Sequence, residues 1–257
     1  MKLRIIFIFI IALSLAFCVS AQKKLAKERA KDPHYQYNLG LYYLDNGDPD
    51  EAIKFFHKSL SLNPRNHLVF NALGFAYSMK GDLGQSLKYF QKCLETNPNF
   101  IEVHNNIGMI YQEMGFIDKA EEEFQKVLAD EQYPAKENPH YNLANLYFIQ
   151  GKNDRALDHI QKAIQENVRF AMAYNLMGRI LEKQNRLREA ILSYEKALRI
   201  VPEEISFSFD LAVALFKNNK FSQAEEIFEK ISSQVTDQEM KDTINQYLKI
   251  IKQQEKN

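Results

Sequence analysis

The sequence predicts an all-α fold: a right-handed superhelical solenoid of six helix pairs, closed by a C-terminal capping helix. Two observations carry that prediction. Within residues 68–98 the chain places Leu73-Gly74, Tyr77, Gly81, Phe90 and Pro98 at offsets that recur 34 residues earlier as Leu39-Gly40, Tyr43, Gly47, Phe56 and Pro64, and 34 later as Ile107-Gly108, Tyr111, Gly115 and Phe124. The fifteenth place of each unit then reads Gly47, Gly81, Gly115, Gly151, Asn185 and Asn219, the two residue types that best tolerate left-handed backbone at a helix end.

A period of 34 with L-G-x2-Y, then F, then P, is the tetratricopeptide signature, and the chain resembles proteins built from such helix–turn–helix units. The residue types explain the spacing. The eighth place is small so that the paired helices approach, the aromatics at places eleven and twenty-four fill the gap between them, and place fifteen ends the first helix.

In chain order, residues 1–21 stand apart. Lys2 and Arg4 precede an apolar run from Ile5 to Val19, 15 residues long and short for a membrane span, and Val19-Ser20-Ala21 supplies small residues for cleavage. This reads as a secretory signal, with an uncleaved anchor as the alternative. Cys18 lies where a bacterial lipoprotein signal puts its lipidated cysteine, although Phe17 is bulky where such signals want a small residue. Either Cys18 is acylated, tying the chain to a membrane surface, or it is discarded with the signal. Losing the signal removes two of 33 basic residues and none of the 33 acidic ones, so the remainder is about two charges negative, which argues against nucleic acid as a partner. Residues 22–32 are charged and Lys-rich and read as a tether.

The repeats occupy residues 33–236. The first runs from Pro33 to Asn66 and the second from His67 to Phe100, with the others beginning at Ile101, Glu137, Ala171 and Ile205. Ala144 follows Gly108 by 36 residues, so two extra residues lie between repeats three and four, around Tyr133 to Pro139. Beyond them, Asp237 is a plausible N-cap for a last helix whose Ile244, Tyr247, Leu248 and Ile251 form one apolar stripe. A wet-backed helix of this kind is what an array needs to cover its last repeat. With its polar end it fills residues 237–257.

Nothing in the sequence assembles a catalytic constellation, so the expectation is a protein that is not an enzyme and takes no cofactor or metal. The six His (34, 57, 67, 104, 140 and 159) make no H-E-x-x-H and pair with no Cys at ligand spacing. His104 and His140 hold place four, where packing explains them better than metal binding. Cys93 holds a small buried place and has no partner for a disulfide within the chain. There is no Gly-rich phosphate loop.

A binding surface is the stronger expectation. In such an array the first helices line the inner wall, and places two, five, nine, twelve and thirteen face it. Candidate partner-binding residues are therefore Tyr37, Asn71, Asn105, Tyr141 and Asn175 at place five; Leu41, Phe75, Met109, Asn145 and Arg179 at place nine; Leu44 and Phe148 at place twelve; and Met79 at place thirteen. The partner would be an extended or helical protein segment, with Asn side chains bonding its backbone. The competing reading has several of these residues packing between neighbouring repeats. Repeat one carries Tyr37 and Leu41 where chaperone-binding repeats need Lys and Arg, which excludes their two-carboxylate clamp.

The Cys-Val-Ser start, six repeats, Asn105-Asn106-x-Gly108 and the extended Tyr133-Pro134 loop together resemble the type IV pilus biogenesis and stability proteins, the pilotins of the PilF, PilW and Tgl kind. Phe17 and the residues after Thr236 depart from that pattern. The resemblance implies an exported, periplasmic scaffold, outer-membrane-attached if Cys18 is lipidated, whose client is a secretin. The rival expectation is a generic exported adaptor for another envelope complex, unrelated to pili.

Overall fold

The computed structural model describes Gln22 and residues 24–254; the expected signal, with Cys18, and the last three residues lie outside the described residues. Among the described residues there are fourteen helices and no strand. Residues 24–29, inside the Lys-rich segment expected as a tether, form helix α1, consistent with the helix propensity of their Leu, Ala, Lys, Glu and Arg residues.

Twelve helices follow, two to each repeat of the sequence. They are α2 (Pro33–Asp45) with α3 (Pro49–Leu62), α4 (His67–Met79) with α5 (Leu83–Thr96), α6 (Glu102–Glu113) with α7 (Ile117–Ala129), α8 (Glu137–Ile149) with α9 (Asn153–Glu166), α10 (Ala171–Lys183) with α11 (Leu187–Ile200), and α12 (Ile205–Lys217) with α13 (Phe221–Ser232). The chain ends on α14 (Gln238–Gln254). The described residues divide into two compact units, the first ending at Met114 and the second beginning at Gly115.

Local chemistry sets the helix ends. Asp32, Asp48, Asn66 and Asp82 each accept a backbone N–H from the first turn of the helix they open, and Pro33 and Pro49 stand at the first helical position, where no N–H is needed. Asp237 Oδ1 accepts from Met240 N at 2.8 Å and so caps α14. At the turn inside each pair the backbone is left-handed at all six fifteenth places, including Asn185 and Asn219, each at φ 60°.

Packing within a pair follows the small eighth place. A Cβ added at Gly40 or Gly74 would collide with the ring of Phe56 or Phe90, and at Gly178 it would lie 2.5 Å from Tyr194 Cε1. The residues at place twenty-four, Phe56, Phe90, Phe124, Ile160, Tyr194 and Phe228, are all buried. Place eleven stacks on place twenty-three: Tyr43 on Phe55 and Tyr77 on Tyr89, both with centroids 5.2 Å apart.

In the first unit α2 to α6 pack each on the next, and in the second α7 to α14 do the same. First helices of adjacent repeats also touch, α2 with α4, α8 with α10 and α10 with α12, whereas no two second helices do so to the same extent. Crowding on one side only means that the first helices form the tighter, inner side of each stack. The last core brings α14 against repeat six: Ile244 and Ile251 are buried with Leu211, Ala212, Leu215 and Phe228, and Tyr247 stacks on Phe228 at 5.1 Å.

Candidate functional site

The inner side of the first unit carries a short apolar ledge. Phe75 and Met79 are four residues apart on α4 and therefore share a face, and Met109 occupies Phe75's place in the next repeat. All three are exposed, Met79 at 54% and Met109 at 42%, although large apolar side chains normally go inside. Phe75 is fixed by an edge-to-face contact with Phe90 at 5.5 Å. Beside the ledge Tyr37, Leu41 and Leu44 are half-buried against the core around Phe56 and Leu73. Tyr37 lies 5.9 Å from the Phe56 ring, and burial raises its hydroxyl pKa.

The asparagines at place five divide. Asn71 accepts from Asn106 Nδ2 at 3.1 Å, and Asn175 donates to Asp210 Oδ2 at 2.9 Å. Both bonds run from place five of one repeat to place six of the next, so they tie repeats together, and Asn175 is buried. Asn105 is half-buried, with its amide 3.9 Å from Met109 Sδ. The place-six partners were missed from the sequence, although polar pairs 35 residues apart are a signal that could have found them.

The second unit's inner side is different in character. Tyr141 leans on Phe170 at 5.2 Å and is half-buried, which raises its pKa. Arg179 lies over the Phe148 ring, 5.4 Å from its centroid. An open cleft of about 680 Å³ runs from Phe148 and Arg179 past Phe209 and Val213 to Tyr247 on α14. A second cleft, of about 500 Å³, is lined by Asn145, Phe148 and Ile149 and shares Phe148, Arg179 and Lys183 with the first. Glu182 accepts from Tyr194 Oη at 3.0 Å and pairs with Lys217. Burial raises the Asp210 carboxyl pKa, partly offset by the bond from Asn175 and by Arg179. Tyr247 covers the inner residues of repeat six, 5.1 Å from Phe216 and 6.4 Å from Phe209, so α14 closes that end of the wall.

Titratable groups elsewhere serve packing. His140 Nδ1 and His159 Nδ1 are 3.1 Å apart, one donating to the other, both half-buried in repeat four. Burial lowers the His140 pKa to about 4, with His159 and Lys162 adding to the effect. Cys93 is buried and its thiol pKa is pushed up to about 12 by burial. Among the described residues no three His, Cys, Asp or Glu side chains gather as metal ligands, and no helix is long and apolar enough to cross a membrane.

Comparison with known proteins follows the same architecture. Profiles described as tetratricopeptide repeat match residues 35–66, 67–100 and 89–122, and one described as the tetratricopeptide repeat protein 21 C-terminal ARM domain matches residues 125–241. Among curated relatives, the peroxisomal targeting signal receptor of Candida glabrata is 30% identical over 84 residues, and tetratricopeptide repeat protein 21A of Mus musculus is 34% identical over 86. Each match covers 33% of this chain but only 14% and 6% of the relative's length. Among solved structures, Pseudomonas aeruginosa PilF superposes with a TM-score of 0.69 at 16% identity, covering 85% of this chain and 98% of that one. PilW, described as a widely conserved type IV pilus biogenesis factor, gives 0.73 at 18%, covering 82% and 97%. The Cut9–Hcn1 tetramer of the APC/C gives 0.75 at 17%, covering 89% and 44%. At these identities the structural matches establish the fold alone.

Proposed function

We propose that this chain, a tetratricopeptide repeat protein, is a non-catalytic scaffold that grips a client protein segment on the inner face of its first helices, outside the cytoplasm. The observation that carries the reading is the ledge of Phe75, Met79 and Met109: three large apolar side chains exposed on one wall, where a partner would desolvate them. The basic start and apolar run of residues 1–21 support export, and the likeness in fold to PilF and to PilW, a type IV pilus biogenesis factor, over most of the chain supports a pilus secretin as client. The second reading is an adaptor for another envelope complex. It is favoured by the equal likeness in fold to a chain of the APC/C Cut9–Hcn1 hetero-tetramer, a different assembly.

The decisive experiment is in vivo crosslinking and pull-down of the exported form. Recovery of a secretin supports the first reading and recovery of unrelated envelope proteins the second. In either case Phe75→Glu with Met109→Glu abolishes client recovery while helicity by circular dichroism is unchanged. Unaltered recovery would remove the inner wall as the binding site. Mass spectrometry of the mature N-terminus decides the anchor, since a peptide beginning at Gln22 without acyl chains rules out lipidation at Cys18.

A further inference from the structure

The two units differ in charge at their thirteenth places. Place thirteen reads Asp45, Met79 and Glu113 in the first three repeats, then Ile149, Lys183 and Lys217 in the last three. Of the cations on the second unit's wall, Lys217 is paired with Glu182, which also takes the Tyr194 hydroxyl. Asp210 faces Arg179 but is bonded to Asn175. Both wall carboxylates thus have partners within the fold. Arg179 and Lys183, exposed on the same face of α10 four residues apart, are in ion-pair contact with neither. A guanidinium stacked on an aromatic ring, as Arg179 is on Phe148, still presents its N–H edge to a carboxylate.

We infer that the client segment held by the second unit carries an Asp or Glu side chain set between Arg179 and Lys183 and flanked by apolar residues. The inference rests on the binding role proposed above. Charge complementarity selects the carboxylate, because the two clefts are lined by three cations and two carboxylates, and the Lys217–Glu182 pair leaves Arg179 and Lys183 facing Asp210 alone. Its apolar neighbours follow from Phe148, Ile149 and Val213 along the same walls. An internal side chain fits better than a chain terminus. Arg179, Lys183 and Phe148 border both clefts, so the ion pair sits on a ridge with space of about 500 and 680 Å³ on its two sides. A terminal carboxylate would leave one of them empty.

The test is a random-peptide display library panned on the full chain, followed by fluorescence anisotropy of the selected peptides. The expected peptides contain Asp or Glu beside aliphatic or aromatic residues. Arg179→Gln with Lys183→Gln weakens them about tenfold and removes most of their salt dependence, as loss of a paired interfacial charge does. Changing the peptide's acid to its amide then has no further effect on the variant. Selected peptides with no acidic enrichment, or bound equally by the variant, overturn the inference. If such peptides lose binding on Phe75→Glu with Met109→Glu, they have selected the first unit's ledge, so that binding role stands and only the acidic preference of the second unit falls. If no peptide is selected at all, the wall falls too, and this inference with it.

Discussion

Asn185 and Asn219 sit at φ 60° in turns where the other four repeats use glycine. Left-handed backbone costs an ordinary L residue about 1–2 kcal/mol, and Asn offsets part of that through local hydrogen bonding. Asn219→Ala is therefore expected to lose about 1 kcal/mol in urea unfolding, while Asn219→Gly loses none. Equal losses would mean that the side chain, not the backbone, is what the turn requires. The His140–His159 pair makes a second claim at this scale. Its Nδ1 atoms, 3.1 Å apart, can share one proton but not hold two. Around it stand Lys136, Asp158, Lys162, Glu121 and the Tyr147 ring. The folded-state pKa of His140 is lowered to about 4 from 6.5, so the unfolded chain binds more protons between those values. Stability contributed by the neutral pair is complete above about pH 6.5 and is lost as pH falls toward about 4. Thermal unfolding of the native protein should shift downward between about pH 7 and pH 5, and His140→Asn should flatten that slope relative to the native chain. An identical slope in the variant would show that other groups carry the dependence.

Among the elements, α14 is the one that covers the end of the second unit. It lays Tyr247 against Phe209, Phe216 and Phe228 and buries Ile244 and Ile251 on repeat six. Tyr247→Ala strips a half-buried ring from that cluster and is expected to cost about 2–3 kcal/mol. The element was legible in the sequence because its apolar residues recur at helical spacing after an Asp. The six pairs were legible because one left-handed place and one small place per unit leave little chemical choice. The inner wall was harder to read. Asn71 and Asn175 were expected to reach for a partner, yet each bonds place six of the neighbouring repeat, since an amide at place five lies as close to the next helix as to the groove. Exposure of Phe75, Met79 and Met109 could not be told from sequence either, because an apolar residue at place nine packs inward in repeat one, as Leu41 does, and stands out in repeats two and three. The pattern gives the position on the helix; how far the neighbouring helix rises beside it is a tertiary fact.

Within each unit contacts run between neighbours: each helix packs on the next, and first helices of adjacent repeats touch. In such an array stability is close to a sum of repeat terms and nearest-neighbour interfaces, so a local lesion is felt locally. The short ties between repeats have the same reach. Lys80 pairs with Asp50, and Gln184 bonds Asp154 at 3.0 Å, each linking place fourteen to place eighteen of the preceding repeat. Being exposed, such pairs add little individually. The consequence is that unfolding need not be all-or-none. In native-state hydrogen exchange, Tyr247→Ala should lower the protection of α12 to α14 by the full cost of the lost ring, and that of α10 and α11 by less. Amides of α2 and α3 should exchange as in the native protein. If α2 and α3 lost protection by the same amount as α12, the chain would be one cooperative body. Repeat-by-repeat addition would then be the wrong account of what holds it together.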